Sequence, residues 1–557
     1  MSNGAQAVVQ CLHALSIRTL FGIPGTQSVS LFEALRQSDQ VRVFLAEDER
    51  SAAFMANGFG RATGHTAAIA TIPGPGVTHA LSGIAEARSD SVSLLHLVIS
   101  GDEPGSPRTR LQSSYREALT PTFYQSAHFA RTASEIVSAF EQAWKTLQDG
   151  EPGPVLLEIS ANALDETCPS TLPAAQLSKV ESFAPLVTRV LEAKRVSVLA
   201  GQGLCDAVPQ FREVVNQRGW AVVTNCSARG VLPDAHPALV APDFGSVGTS
   251  TVNQLFAQSD LVLVLGAKLT HNGTFGFQLD FPADRTHRLD RSPDVDDPER
   301  IKSWQGSCLA FLERLLEASG PSAGFPRETL LAMRAQFDHL REQRLNQDLR
   351  YLKPDRALRF LDQLSEALPE RATVFTDSGR HQLVVRNRLK ITQPRGLIVP
   401  SDFQSMGFAL PAAVGAAASD TTRPVVAITG DGGFSMCGLT LSVAIRERLP
   451  LQVVIFNDQS LGQIRDKQLN DFGNSFATHA PAIDFQSMAN ALGAFYYRVS
   501  DEHVPPFAEL FRSGGVNLID LVLHDSPLPA LRARAKSRAR SLAGPRARAW
   551  LKRLTHL

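Results

Sequence analysis

The feature that most constrains this fold is an alternation, repeated in three stretches of the chain, of short β-branched runs with helix-period segments. Strands separated by helices pair in parallel, so each stretch predicts an open parallel sheet wrapped by helices. In the first unit the predicted strands are residues 19–23, 41–46, 67–72, 94–99 and 155–159, with helices over 51–63 and 77–89. A second unit has strands near 196–200, 221–224 and 261–266 and ends in a polar helical stretch over 327–351. The third has strands at 373–376, 425–428, 453–456, 495–499 and 518–522. The expected fold is α/β: three doubly wound parallel-sheet domains over 1–168, 186–325 and 352–525, then a basic tail over 526–557. A stretch containing Pro and Ser at 168–185 reads as a linker. The first and third units share a strand–helix rhythm, and ligands of such sheets gather outside the carboxyl ends of the strands.

Composition narrows the classes. At 557 residues, with 43% hydrophobic and 20% charged, the chain is neither disordered nor fibrous. No apolar run approaches the roughly 18–20 residues of a membrane span. The start, MSNGAQAVVQCLH, has no basic segment followed by an apolar core, so no secretory signal is expected. Six cysteines, at 11, 168, 205, 226, 308 and 437, form no CxxC pair, which predicts reduced thiols, a cytoplasmic setting and no zinc site. The net charge of zero conceals an asymmetry: residues 526–557 hold nine Lys/Arg and no acid, leaving 46 basic against 55 acidic residues elsewhere. Such a tail is a candidate for nucleic acid or anionic lipid. The plainer reading, a solvated tail or a helix lying on its own acidic body, is preferred, so neither nucleic acid nor membrane is an expected partner.

The strongest chemical signal is Gly430-Asp431-Gly432-Gly433, directly after a predicted strand. Asn457-Asp458 follows the next strand, with Asp458 27 residues beyond Asp431. Glycines let backbone N–H groups approach a phosphate closely. Two carboxylates at one sheet edge suit a hard divalent cation, and Mg²⁺ fills its other positions with phosphate oxygens and water. A metal-bridged diphosphate fits this pattern; an ordinary GDGG turn is the alternative.

The segment GDGGFSMCGLTLSVAIRERLPLQVVIFNDQSLG resembles the thiamine-diphosphate motif of the acetolactate synthase and pyruvate decarboxylase superfamily. AEDERSAAFMANGFGRATG is similar to the family segment carrying a catalytic glutamate, here Glu49, and GPGVTHALSGIAEARSDSVSLL to the segment that follows it. TDSGRHQL resembles the loop that touches the diphosphate, and MGFALPAAVGA the stretch beneath the cofactor's rings. The chain is thus identified as acetolactate synthase large-subunit-like. The resemblance implies a pyrimidine-binding first domain, a central domain and a diphosphate-binding third domain. It also implies a homodimer or homotetramer with active sites at the subunit interface.

Residue by residue, the resemblance implies that Glu49 hydrogen-bonds the cofactor's pyrimidine in a dry setting. Asp431 and Asp458 match side-chain ligands of Mg²⁺, and Ser460 a main-chain ligand. Gly379 and His381 match diphosphate-loop positions, Met406 the apolar residue that bends the cofactor, and Gly430, Gly432, Gly433 and Gly462 its glycine surround. The second metal ligand is usually Asn in this family; Asp458 adds a charge that favours Mg²⁺ and opposes the diphosphate. Gln112 matches a glutamine facing the reaction centre. Lys268 stands where biosynthetic relatives offer an arginine to the substrate carboxylate, and Lys467 where a tryptophan favours 2-oxobutyrate. These departures weaken isoleucine-pathway selectivity and the case for FAD, which is expected to be absent or vestigial; Gly201-Gln202-Gly203 is only a weak nucleotide hint. The expected function is decarboxylation of a 2-oxo acid with carboligation to a second carbonyl. The alternatives are a decarboxylase or lyase releasing an aldehyde, and a non-catalytic regulatory or scaffold relative.

Overall fold

The computed structural model describes residues 2–101, 111–112, 116–168, 181, 183–292, 301–318, 324–349, 354–480, 482–500 and 503–523. The basic tail and most of the linker lie outside the described residues.

Three six-stranded sheets, each parallel throughout, succeed one another along the chain. The first runs Arg42–Leu45, Thr19–Gly22, Ala67–Thr71, Leu94–Ser100, Pro154–Ser160, Ser126–Ala130 from edge to edge. Its strands, numbered by chain position within the sheet, stand in the order 2-1-3-4-6-5. The third sheet has the same order: Leu397–Ile398, Thr373–Thr376, Val425–Gly430, Leu451–Asn457, Val516–Val522, Phe495–Val499. The shared rhythm of the two units therefore reflects a shared topology. The central sheet instead runs 3-2-1-4-5-6, with Val196–Ala200 beside Leu261–Leu265 at the point where the order reverses. Each reversal opens a crevice at the carboxyl edge, the preferred ligand position of doubly wound sheets.

The central strands LLHLVIS, PVLLEIS and LQVVIFN are buried along their whole length, which is why they read as near-continuous apolar runs. Five strands carry no such signal. Ser126–Ala130 and Lys302–Gln305 are polar, half-buried edges, Thr286–Asp290 buries a largely polar sequence, and Leu239–Ala241 and Leu397–Ile398 are too short to show a period. The helix predicted over 51–63 spans Glu49–Thr63, because Asp48 caps it by accepting the Ser51 N–H at 2.7 Å. The GDGG segment is also not a free turn: Gly430 ends its strand and Asp431 opens the helix Asp431–Cys437.

The first and third domains are joined through two helices, Glu49–Thr63 and Ala409–Ser419. A Cβ at Gly58 would stand 2.0 Å from the Ala412 carbonyl oxygen, and one at Gly415 only 1.9 Å from that of Met55. Both glycines are there so that the backbones can touch. One apolar core runs through this contact, from Phe21 and Phe54 to Phe408 and Phe434. All six cysteines are free thiols. Among the described residues no helix is long and apolar enough to cross a membrane.

Candidate functional site

At the reversal point of the third sheet, the strands Thr373–Thr376 and Val425–Gly430 lie side by side and release the segments 377–380 and 431–433. Asp377 ties these turns together. Its buried carboxylate accepts the N–H groups of Gly407 (2.9 Å), Phe408 (3.2 Å) and Ser378 (2.9 Å) and the Thr429 hydroxyl (3.0 Å). Burial pushes its pKa up to about 6 against the pull of those donors. The strand-to-turn pattern Thr376-Asp377 was the only signal available for this role, and it is too common to be read from sequence alone.

Asp431 is buried, and burial first, then the neighbouring Asp458 charge, pushes its pKa up to about 7. Its Oδ1 accepts the Gly432 N–H at 2.7 Å, and the main chain of Gln459 and Ser460 also draws on the carboxylate, whereas its buried Oδ2 makes no close hydrogen bond among the described residues. Asp458 stands at the end of the adjacent strand, and its Oδ2 lies 3.3 Å from both Arg380 and Arg465. Ser460 sits in the loop between, bridged to His479, with a buried and unpartnered hydroxyl. Leu461 N–H donates to the Thr478 carbonyl at 2.8 Å, which fixes this loop.

Around the carboxylates the glycines are required by space. A Cβ at Gly433 would meet Asp377 Oδ2 at 2.6 Å, and one at Gly462 would meet Asp458 Oδ2 at 2.5 Å. At Gly430 it would press on His381 at 3.4 Å, and at Gly432 on Leu461 at 2.8 Å, with the Met406 methyl at 3.7 Å. Gly379 has a φ of 143°, which only glycine adopts without strain. His381 is buried, and burial drives its pKa down to about 3, so the ring is neutral. Its Nε2 has no hydrogen-bond partner. The structure thus gathers Gly379, His381, Met406, Gly430, Asp431, Gly432, Gly433, Asp458, Ser460 and Gly462 at one crevice.

A second group forms at the reversal point of the first sheet. Glu49 is the first residue of its helix, one position after the cap, and its Oε2 lies 2.9 Å from His79 Nδ1. A Cβ at Gly76 would stand 3.3 Å from Glu49 Oε1. At Gly74 (φ 61°) it would stand 2.9 Å from Gln112 Cα, so Glu49 and Gln112 flank the same turn. Gln112 Oε1 in turn accepts from Gln27 Nε2 at 2.9 Å. The apolar neighbours Ala52, Ala53, Phe54 and Met55 are fully buried, while the Glu49 side chain is 16% exposed. His79 escapes sequence reasoning because a lone histidine in a helix has no pattern. Among the described residues, no hydrogen bond or ion pair within one chain joins Glu49 to the Asp431 group.

The two lysines are not brought together. Lys268 Nζ is bonded to Glu151 Oε1 at 2.7 Å and faces a cavity of about 310 Å³ at the reversal point of the central sheet. Lys467 lies on the helix Gly462–Phe472, 75% exposed and paired with Asp471 at 2.9 Å. The cavity also receives Arg61, Asp90, Arg288 and Asp402. Gly201 and Gly203 have a packing explanation: their Cβ atoms would fall 2.2 Å from the Gly266 carbonyl oxygen and 2.8 Å from its Cα.

Paired reversal-point crevices in two domains of one topology, one with an apolar-backed glutamate and the other with two aspartates in a glycine surround, define a class. This chain belongs to the thiamine pyrophosphate enzymes, matching their N-terminal TPP binding domain over residues 2–120, their central domain over 184–297 and their C-terminal TPP binding domain over 377–521. Similar proteins include the acetolactate synthase isozyme 2 large subunit of Escherichia coli, 28% identical over 510 residues, 88% of this chain and 90% of that one. The isozyme 1 large subunit of the same organism is 26% identical, covering 88% of each chain. A putative thiamine pyrophosphate-containing protein of Bacillus subtilis, YdaP, is 25% identical, covering 95% of this chain and 93% of that one.

Proposed function

We propose that this chain is a thiamine-diphosphate- and Mg²⁺-dependent enzyme that decarboxylates a 2-oxo acid and joins the remaining fragment to a second carbonyl compound. The observation that carries the reading is Asp431: a buried carboxylate whose Oδ2 makes no close hydrogen bond among the described residues, beside Asp458, inside a glycine surround. That donor set suits the group. Among the described residues no group of three or more His, Cys, Asp or Glu side chains is placed to hold a metal ion, so a cation here would take two carboxylates and complete its shell with oxygens of other kinds. Asp431 and Asp458 would hold Mg²⁺ with the main-chain carbonyl of Ser460. Gly379, Gly430, Gly432, Gly433 and Gly462 would leave room for the diphosphate, His381 would face it as a neutral ring, and Met406 would pack against the cofactor. Thiamine diphosphate supplies an electron sink for the pair left behind when a 2-oxo acid loses CO₂. Glu49 would hold the proton shared with the pyrimidine, with Gln112 beside the reacting centre.

We assign the two halves of the site to different subunits of a homodimer or a tetramer built from it. Three observations support this. Glu49 has no link to the Asp431 group within one chain, the helix Gly462–Phe472 buries no residue, and Leu439, Ile464 and Phe476 are exposed nearby in sequence. No role in the chemistry is assigned to FAD, since Gly201 and Gly203 are explained by packing. A cytoplasmic setting accords with six free thiols. A second reading, release of an aldehyde, is favoured by the Lys268–Glu151 pair, because a lysine held by a carboxylate offers less to a substrate's carboxylate.

Product analysis by NMR, with thiamine diphosphate, Mg²⁺ and a panel of 2-oxo acids including pyruvate, tests the reading. An acyloin such as acetolactate is the expected product, and Glu49→Gln is expected to lose at least about 100-fold in turnover. Acetaldehyde as sole product selects the second reading. Full activity in Glu49→Gln rejects the assigned mechanism, and failure to bind the cofactor returns the chain to a scaffold role.

A further inference from the structure

Arg380 follows Gly379 and is the first residue of the helix Arg380–Arg388. It is 7% exposed. Its Nη2 donates to the Gly462 carbonyl at 2.5 Å and pairs with Asp466. Its Nη1 is ion-paired with Asp458 Oδ2 at 3.3 Å without a hydrogen bond, and its buried Nε has no hydrogen-bond partner among the described residues. Arg465 Nη2 approaches the same Asp458 oxygen at 3.3 Å. Unsatisfied guanidinium donors are expensive to bury, so a side chain held this way beside two metal-ligand candidates points to an anion.

The charges say which. Asp431, Asp458 and Asp466 face Arg380 and Arg465 within one cluster. Add one divalent cation, and the cluster carries a single net positive charge with the carboxylates ionised. Without the two arginines it would carry a single negative charge, and a diphosphate would be repelled by its own binding site.

We propose that Arg380 is an anion-binding residue whose Nε and Nη1 donate to the cofactor's diphosphate, and that with Arg465 it balances the charge of Asp458. This rests on the thiamine-diphosphate reading above. The test is calorimetric titration of the full chain with thiamine diphosphate at saturating Mg²⁺, repeated with inorganic diphosphate, which isolates the phosphate subsite. Arg380→Gln is expected to weaken both ligands by about tenfold or more, the scale of a charge-assisted hydrogen bond. Combining it with Asp458→Asn is expected to recover most of the loss, because the charge is balanced again. Wild-type affinity in Arg380→Gln, or a double variant no tighter than the single, overturns the proposal. So does a loss confined to thiamine diphosphate with inorganic diphosphate unaffected. If Arg380→Gln does not fold, Arg380→Lys keeps the charge but not the fork, and is expected to weaken inorganic diphosphate several-fold; unchanged affinity is again fatal. A wild-type chain that binds no thiamine diphosphate overturns the cofactor reading together with this one, whereas a failure seen only in the variants removes this one alone.

Discussion

At the residue scale, the chemistry depends on side chains held by short polar contacts. Glu49 owes its place to Asp48, whose cap starts the helix one residue before it, and its orientation to His79 at 2.9 Å. Replacing His79 with Ala removes the partner that holds Oε2 at 2.9 Å. Turnover is expected to fall by about tenfold with little change in KM, and thermal stability should barely move because His79 is half exposed. His79→Gln, which keeps a donor, should recover part of the loss in steady-state kinetics. A large drop in melting temperature with no kinetic effect would make His79 structural.

At the scale of elements, the contact between Glu49–Thr63 and Ala409–Ser419 is the joint on which both half-sites hang. One helix begins with Glu49, and the other follows Met406 by a few residues. Their glycines permit a spacing that no side chain allows. Gly415→Ala is therefore expected to cost about 1–3 kcal/mol, since its Cβ would meet backbone at 1.9 Å and backbone yields little. Gly101→Ala is the control: among the described residues, its chain neighbours aside, no atom lies within 4 Å of its Cβ, and its stability change should be near zero. Equal denaturation midpoints for the two variants would mean that the helices separate freely.

At the scale of the whole molecule, one segment of the third domain, 399–406, is gripped by both other domains before it delivers Met406. Arg61 donates to the Val399 carbonyl and pairs with Asp90 at 2.8 Å; Asp90 accepts the Ser401 N–H at 3.2 Å. Thr270 and Asn272 of the central domain hold Asp402 at 2.7 and 3.0 Å, and Glu86 accepts the Ser405 N–H at 2.9 Å. Glu86 is fully buried, and burial first, then Asp90, pushes its pKa up to about 8 against the pull of its hydrogen bonds with Ser405. The folded state then keeps a proton that the unfolded chain loses near pH 4.5, so this group's contribution to stability falls as pH rises from about 4.5 to 8. Melting temperatures across that range should fall less steeply for Glu86→Gln than for the wild type. Parallel curves would assign the pH dependence elsewhere.

The sequence by itself determined the fold class, because strands buried on both faces and separated by helices leave no other way to pair. It also determined the glycine-and-aspartate crevice, since GDGG and Asn457-Asp458 sit at strand ends where the pattern of residue types is local. It did not carry the short and polar edge strands, where too few residues alternate to show a period. Nor did it carry the partners of the charged groups. Arg380 meets Asp458 across 78 positions of chain, Asp377 meets Gly407 across 30, and Lys268 is held by a glutamate 117 positions away. Those choices follow from the order of strands in each sheet and the contact between two helices. They are properties of three-dimensional packing, and only the tertiary structure decided them.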